Sequence, residues 1–447
     1  MKSSNPRETA LDMLIDIFEN DKFSHIVLRE GLHTIEDRQE KAFITRLVMG
    51  TVERVITIDY IINSYSKVKV KKMKPLIREL LRMSVYQIHY MEAIPDSAVC
   101  NEAVKIAKKR KFVNLSGFVN GVLRKIGREK DNFVIPQNDD VNSLSIRYST
   151  PTWIVEKCIK DYGMDICKKI LSGSNENSFV SVRVNTSKAS VAQVRKELSE
   201  ENIEYSDGDY LEEAIKLHHI NDIESIDAFR KGFIQPQDES SMLVGRCAGI
   251  EENDICIDVC SAPGGKAIHV ADLLKGTGKV YSRDVSEYKV NLINQNIKRS
   301  GFSNIEAGVF DATVSDESMF EKADVLIADV PCSGLGVFNK KSDIKYKITE
   351  ESLEELRLLQ RRIIENVHKY VKPGGVMIYS TCTINQEENI ENVNWITKNF
   401  DFRLESIDEY IPEKLRNEDT KKGFLQLIQG VHQCDGFFIA RLRRGKN

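Results

Sequence analysis

Several common signatures are missing from this chain of 447 residues. No apolar run approaches the roughly 18 residues that a membrane-spanning helix needs, and the polar start over residues 1–8 does not match a secretory signal. Nine cysteines are present, yet they form no Cys-x-x-Cys pair and no cluster with histidine at zinc spacing. We therefore expect no metal site, reduced thiols and a cytoplasmic location, with no membrane partner. The absence of internal repeats also excludes solenoids and propellers.

The composition is typical of globular proteins, with 41% hydrophobic and 29% charged residues, and the length suits two or three domains. The overall net charge of −3 hides an asymmetry along the chain. Residues 1–135 carry 24 Lys and Arg against 17 Asp and Glu, while the remainder has an excess of acidic residues. This basic front favours a polyanionic partner, although a solvated charged helical surface would explain it equally well.

The front of the chain has the apolar periodicity of helices. Asn5-Pro6 predicts a capped helix start, and apolar residues from Ala10 to Phe18 then share one face. Further helices are predicted over 37–64, 76–91, 97–110 and 114–127. A polar linker is expected at 131–150. A small α+β module should follow up to residue 235, with a helix at 151–172, a strand at 179–185 and a helix at 191–201.

From residue 236 onwards, predicted strands and helices alternate, which indicates a parallel sheet covered by helices on both faces. The predicted strands are Ile255–Val259, Lys279–Asp284, Ile305–Val309, Ala323–Ala328 and Val376–Ser380, with helices at 267–274, 289–300, 352–371 and from Gln386. A late strand, Phe437–Leu442, has no helix after it. We expect this strand to be an antiparallel addition at the edge of the sheet.

A loop of small residues, Cys260-Ser-Ala-Pro-Gly-Gly-Lys266, follows the first strand of this region and opens a helix. Such residues let a backbone approach a ligand closely. The loop is neither a Walker A motif, because no glycine lies five residues before Gly265, nor a GxGxxG fingerprint. Acids end the next strands: Asp284 is placed to bind ribose hydroxyls, and Asp311 and Asp329 follow along the same edge. Together they predict a nucleoside-bearing ligand, with a tight turn and an incidental acid as the alternative.

Two cysteine motifs, Asp329-Val-Pro-Cys332-Ser and Ser380-Thr-Cys382-Thr, each close a predicted buried strand. Chemistry in open α/β sheets gathers beyond the carboxyl ends of the strands. Two thiols delivered to that edge favour covalent catalysis. Either cysteine alone would more simply be a buried, inert thiol.

These motifs in this order resemble the RNA cytosine-5 methyltransferase family. The segments 94–104 and 117–124 resemble the helical RNA-binding domain of the NusB family, and the combination resembles the bacterial small-subunit ribosomal RNA methyltransferases of the RsmB or Sun type. Gln237–Ser241 and Asp435–Arg441 also fit. Family members often carry other residues at Ser261, Val330 and Ala267, and the influence of Arg283 on the ribose pocket is open.

The resemblance implies a Rossmann-like methyltransferase domain of α/β class over 236–447, a NusB-like helical domain over 1–135, and a linker with a small α+β module over 136–235. It implies S-adenosylmethionine as cofactor, held by the acids and the loop residues: Cys260, Ser261, Ala262, Pro263, Gly264, Gly265, Lys266, Asp284, Asp311 and Asp329. Asp329 would position either the cofactor or the base. Cys382 would attack C6 of a cytosine, and Cys332 would assist product release. The substrate would be 16S ribosomal RNA, naked or in a partly assembled subunit, with no obligate protein partner.

Two other functions explain part of the sequence. A nicotinamide-dependent oxidoreductase would use Gly264, Gly265 and Asp284 but not the two cysteines, and it would lack GxGxxG. A non-catalytic RNA-binding assembly factor would use the basic front and leave the cysteine pair without a role. Within the methyltransferase interpretation, transfer RNA is an alternative substrate. His89, His368 and His432 match no catalytic motif.

Overall fold

The computed structural model describes residues 5–173, 179–220 and 222–446. Contact density separates the chain into two compact units. The first extends to Ser172 and also takes in Phe338–Lys347, and the second comprises Gly173–Val337 and Ile348–Asn447. The predicted domain boundaries at residues 135 and 235 stay predictions.

The first unit is built from helices, as the sequence predicted. Its helices before residue 173 are α1 Pro6–Phe18, α2 Ser24–Leu32, α3 Arg38–Glu53, α4 Val55–Tyr65, α5 Pro75–Tyr90, α6 Asp96–Lys109, α7 Val113–Glu129, α8 Val141–Tyr148 and α9 Thr152–Ser172. Asn5 caps α1 by accepting a hydrogen bond from the Arg7 amide at 3.0 Å, and Pro6 occupies the first turn. Buried apolar side chains of α1 to α7 form one core.

Local capping explains where this unit departs from the sequence prediction. Helix α8 lies inside the predicted linker, because the Asp140 side chain caps it through the Ser143 amide. The predicted helix 37–64 is two helices that meet at Arg54. Helix α2 was not predicted. Helix α9 is kinked at Gly163, where a φ of 78° requires a residue without a side chain.

The second unit begins with a small antiparallel sheet. Its elements are β1 Phe179–Val184, α10 Val191–Glu200, β2 Tyr205–Asp207, β3 Ala214–His218, α11 Asp227–Arg230 and β4 Ile234–Pro236. The strand order is β2-β3-β1-β4. These strands and helices agree with the predicted α+β module, except that the first helix predicted for it, 151–172, is α9 and belongs to the first unit.

The large sheet of the second unit has eight strands. The remaining elements in chain order are α12 Glu239–Ala248, β5 Ile255–Asp258, α13 Gly265–Leu273, β6 Lys279–Asp284, α14 Glu287–Ser300, β7 Ile305–Val309, β8 Ala323–Asp329, α15 Ile344–Lys347, α16 Glu350–Val367, β9 Val371–Thr381, α17 Ile390–Asn399, β10 Phe402–Leu404, α18 Glu418–Lys422, β11 Phe424–Leu427 and β12 Phe437–Arg444. Helix α15 belongs to the segment that the first unit takes in.

The strand order of this sheet is β10-β12-β9-β8-β5-β6-β7, with β11 also paired to β12. Strands β9, β8, β5, β6 and β7 run parallel, which confirms the predicted Rossmann-like class. Strand β12 is antiparallel as predicted, but it is not an edge strand, because β10 and β11 pair with its other side. Chain order reverses between β5 and β8, and ligands of such sheets bind at this switch point.

None of the helices in the described ranges combines the length and the apolar character needed to cross a bilayer.

Candidate active site

The two cysteine motifs meet at the carboxyl edge of the parallel strands. Strands β8 and β9 are neighbours, with Asp329 opposite Ser380. Cys382 directly follows β9, and Cys332 lies three residues beyond β8. Their sulfur atoms are 3.2 Å apart, and both side chains are partly exposed. The structure therefore brings together the two thiols that the sequence singled out.

The pKa of the Cys332 thiol is shifted by its surroundings. The hydrogen bond to Cys382, then burial and the nearby charge of Glu388, raise the pKa of Cys332 well above its ordinary value. The two sulfur atoms are within hydrogen-bond distance of each other, and either thiol can act as the donor.

The predicted cofactor loop lies beside this pair, at the carboxyl end of β5. Gly264 has a φ of 97°, and α13 begins at the next residue. The Ser261 amide donates to the Arg283 carbonyl at 2.9 Å, and the Ser261 hydroxyl bonds to that of Ser282 at 2.7 Å. The loop is therefore fastened to the end of β6, next to Asp284.

The predicted acids take different positions. Asp284 is buried, and its carboxylate accepts from the Ala262 amide at 2.9 Å and the Val285 amide at 2.8 Å, with the Lys289 ammonium at 3.0 Å. Asp311 is exposed, and hydrogen bonds from Thr313 lower its pKa. Both carboxylates line the same cavity.

Lys266 does not line this cavity but pairs with Asp329. Its Nζ atom lies 2.7 Å from Asp329 Oδ2 and 5.3 Å from the ring centre of Phe437. Burial alone would lower the pKa of Lys266, but the carboxylate of Asp329 outweighs it and raises the pKa. The Ser380 hydroxyl donates to the other Asp329 oxygen at 2.9 Å. The pair thus places a fixed positive and a fixed negative charge beside the thiols.

A cavity of about 310 Å³ opens between these groups. Its lining includes both cysteines and, of the predicted binding residues, Cys260, Ala262, Asp284, Asp311 and Asp329. The other predicted loop residues are not part of the lining: Ser261, Pro263, Gly264, Gly265 and Lys266. Sequence reasoning missed the apolar wall, which is formed by Val285, Phe310, Leu359 and Ile363.

Cys260 is a third thiol on the wall of the cavity. Burial, and then the charges of Asp258 and Asp284, raise its pKa above the ordinary value. Asp258 itself was missed, although an acid that ends the apolar strand β5 was a visible signal. Burial raises the pKa of Asp258 to about 7, against the opposing effects of Ser261 and Lys266. Neither Cys260 nor Asp258 has the features of a nucleophile.

Arg283 stays clear of the predicted ribose pocket. Its guanidinium forms an ion pair with Asp316 at 2.7 Å and stacks over Phe310 at 4.8 Å. Across the described residues, no group of three or more His, Cys, Asp or Glu side chains is arranged to hold a metal ion.

Family models match almost the whole chain. Residues 4–128 match the NusB family, residues 150–224 the ferredoxin-like domain of RsmF/B-like methyltransferases, and residues 248–443 the 16S rRNA methyltransferase RsmB/F model. The probable ribosomal RNA small subunit methyltransferase B of Bacillus subtilis is 36% identical over 448 residues, covering 99% of this chain and 100% of that protein.

Two solved structures are similar to this chain over different lengths. The crystal structure of PH0851 superposes with a TM-score of 0.82 at 26% identity, and the match covers 99% of both chains. A structure of NSun6 from Pyrococcus horikoshii with SFG gives a TM-score of 0.59 at 23% identity, over 66% of this chain and 99% of that one. The latter likeness concerns the fold.

Proposed function

This chain belongs to the RsmB/F family of 16S rRNA methyltransferases, and we propose that it methylates C5 of a cytidine through a transient bond between Cys382 and C6 of the base. It is an S-adenosylmethionine-dependent enzyme acting on small-subunit ribosomal RNA. The observation that carries the finer proposal is the contact of the two cysteine sulfurs at 3.2 Å on the wall of the cavity.

The cavity suits S-adenosylmethionine. Its lining combines an apolar wall, including Phe310, for a flat adenine ring with carboxylates for ribose hydroxyls and a sulfonium cation. We assign the ribose to Asp284, whose neighbouring backbone amides hold the carboxylate in place. When bound, the cofactor supplies a methyl group that is open to nucleophilic attack.

Cytosine C5 is too weak a nucleophile to take a methyl group directly, and addition of a thiolate at C6 would activate it. The Cys382 thiolate forms a bond to C6, and the ring's electrons move to C5, which then takes the methyl group as the donor's carbon–sulfur bond breaks. A base then takes the C5 proton, the bonding electron pair re-forms the C5–C6 double bond, and the C6–sulfur bond breaks so that Cys382 leaves as a thiolate. Cys332, whose sulfur lies 3.2 Å away, would reprotonate the departing sulfur.

The Lys266–Asp329 pair would orient the base. An ammonium and a carboxylate at 2.7 Å offer a donor and an acceptor to the polar edge of a pyrimidine beside Cys382. We assign recognition of the cytosine edge to this pair. Such an edge is accessible only in an unpaired or flipped nucleotide.

The remaining parts complete the proposal. The basic helical region 1–135 would bind phosphates without choosing sequence, and the module within 136–235 would connect it to the catalytic region 236–447. We propose a cytoplasmic site of action on naked RNA or a partly assembled subunit, without an obligate protein partner.

Covalent trapping tests this function. RNA from small subunits that contains 5-azacytidine should form an adduct with the protein that survives denaturation, and Cys382→Ala should abolish both adduct and methylation while leaving cofactor binding unchanged. Bisulfite sequencing with and without the protein locates the cytidine. Methylation by Cys382→Ala would refute the nucleophile, and a modified transfer RNA with unmodified ribosomal RNA would refute the substrate.

A further inference from the structure

We propose that Glu388 and Asn389 are positioning residues that each fix one thiol of the pair: Glu388 the loop of Cys332, and Asn389 the loop of Cys382. The inference rests on the proposed function and deepens it. Both residues follow the Cys382 motif in sequence, and both are buried. Neither lines the cavity.

Glu388 is a fully buried carboxylate that accepts four hydrogen bonds. Its Oε2 atom accepts from the Ser333 amide at 2.9 Å and from Gln360 Nε2 at 2.8 Å. Its Oε1 atom accepts from the Ser333 hydroxyl at 2.5 Å and from Asn385 Nδ2 at 3.1 Å. A buried charge is tolerated only when it is satisfied in this way, so the four donors are held firmly in return.

Two of these donors hold the residues on either side of Cys332. Ser333 follows Cys332 directly, and Gln360 Nε2 also donates to the carbonyl of Pro331 at 2.9 Å. Glu388 therefore binds Ser333 directly and is linked to Pro331 through Gln360. The backbone of Cys332 has little freedom to move while the carboxylate is in place.

Asn389 does the same for Cys382. Its Oδ1 atom accepts from the Thr381 hydroxyl at 2.5 Å, and its Nδ2 atom donates to the Thr383 carbonyl at 2.9 Å. Thr381 and Thr383 are the two sequence neighbours of Cys382. Asn389 also donates to Gln426 Oε1 at 2.8 Å, which anchors it to β11.

A hydrogen bond of 2.8 Å between the Ser333 and Thr383 hydroxyls joins the two loops. Since Glu388 and Asn389 are consecutive, one short stretch of backbone sets the position of both sulfurs. The two residues have separable consequences: loosening the Cys332 loop impairs release of the adduct, whereas loosening the Cys382 loop impairs its formation.

The test uses Glu388→Gln and Asn389→Ala in the full-length protein. All four partners of Glu388 are hydrogen-bond donors. A glutamine in its place therefore points its own N–H groups at donors, whichever way the amide is turned. Misplacing a reacting group by about 1 Å can cost about 100-fold in rate. We expect turnover to fall by about 10-fold to 100-fold in both variants, with the affinity for S-adenosylmethionine, measured by calorimetry, within about twofold of the parent.

The distinguishing measurement is the protein–RNA adduct on denaturing gels. Glu388→Gln should accumulate adduct with ordinary RNA, as stalled release requires. Asn389→Ala should form less adduct than the parent even with RNA that contains 5-azacytidine. A purely structural role would lower both activities together and leave the ratio of adduct to product unchanged.

Matched controls come from the same unit. Glu239→Gln alters another buried carboxylate, which accepts from the backbone amides of Asp209, Tyr210 and Leu211. Asn304→Ala truncates a buried asparagine directly before β7, at the opposite edge of the parallel strands. Neither control should change the ratio of adduct to product.

Each outcome decides one question. If the parent protein forms no adduct with 5-azacytidine RNA, the covalent mechanism itself fails. If the parent forms adduct but both variants show the same ratio of adduct to product as their controls, the covalent mechanism stands and the positioning roles are refuted. Should Glu388→Gln not fold, Gln360→Ala removes the bridge between Glu388 and the Pro331 carbonyl and should still accumulate adduct. A normal ratio of adduct to product in that variant would equally refute the role of Glu388.

Discussion

Replacing Lys345 by methionine should stabilise the first unit near neutral pH. Lys345 lies in α15, only 3% of the residue is exposed, and its ammonium donates to the Glu53 carbonyl at 3.2 Å. Burial lowers the pKa of Lys345 from 10.5 to about 8, although the charge of Glu53 acts in the opposite direction. At neutral pH the buried charge of Lys345 therefore destabilises the folded state relative to the unfolded state.

The cost follows from the two pKa values. The difference between 10.5 and about 8 corresponds to about 3 kcal/mol of folding free energy when the lysine is charged in both states. Methionine keeps most of the volume and removes the charge. It gives up one hydrogen bond, worth about 1 kcal/mol, but the Glu53 carbonyl keeps its bond from the Tyr346 hydroxyl at 3.0 Å. The net gain should be about 2 kcal/mol.

The pH dependence gives this prediction its sign. Below pH 8 both folded and unfolded chains carry the charge, so the full cost applies; between pH 8 and 10.5 the unfolded chain alone holds the proton, so the parent gains stability as pH rises. Calorimetric unfolding should show Lys345→Met melting about 4–8 °C higher at pH 7, with the advantage shrinking by pH 9.5. Lys345→Arg should not stabilise. An advantage that stays constant with pH would refute the reasoning.

Three further changes test the site. Cys332→Ala should slow turnover and accumulate stalled protein–RNA adduct on denaturing gels, and free release of product would contradict its role. Asp284→Ala should weaken S-adenosylmethionine binding in calorimetry by about 10-fold or more, since a charge-assisted hydrogen bond contributes about 1.5–3 kcal/mol; unchanged affinity would remove the ribose assignment. Lys266→Met should lower single-turnover methylation about 100-fold with little effect on cofactor affinity, because its ammonium contacts Asp329 and not the cavity; a loss of cofactor affinity alone would place Lys266 at the cofactor instead.

The central parallel strands β5 and β8 were predictable because they are largely buried and therefore nearly continuous in apolar sequence. The predicted Lys279–Asp284 and Ile305–Val309 coincide with β6 and β7. The position of β12 was not predictable, because its partners β10 and β11 are only three and four residues long and carry little pattern. Helix α8 was also missed, because it is short and polar and begins at a side-chain cap.

The chemistry of the site was visible where it depends on residue type and strand ends. The two thiols and Asp284 are examples, because carboxyl ends of parallel strands meet at one edge. The apolar wall was not visible, since Phe310 and Leu359 are ordinary hydrophobic residues until the sheet and α16 bring them to the same cavity.

Glu388 shows most clearly what a sequence conceals. In the run Asn385–Asn389 it reads as one polar residue among others before a helix, and such residues are usually exposed. Its burial becomes tolerable only through donors from three separate segments, including Ser333 and Gln360, which no local pattern connects. A carboxylate that must be satisfied by several loops at once fixes those loops relative to one another, as a neutral apolar residue could not. The position of a reactive sulfur in this fold therefore depends on buried polar residues beneath it as much as on the cysteine itself.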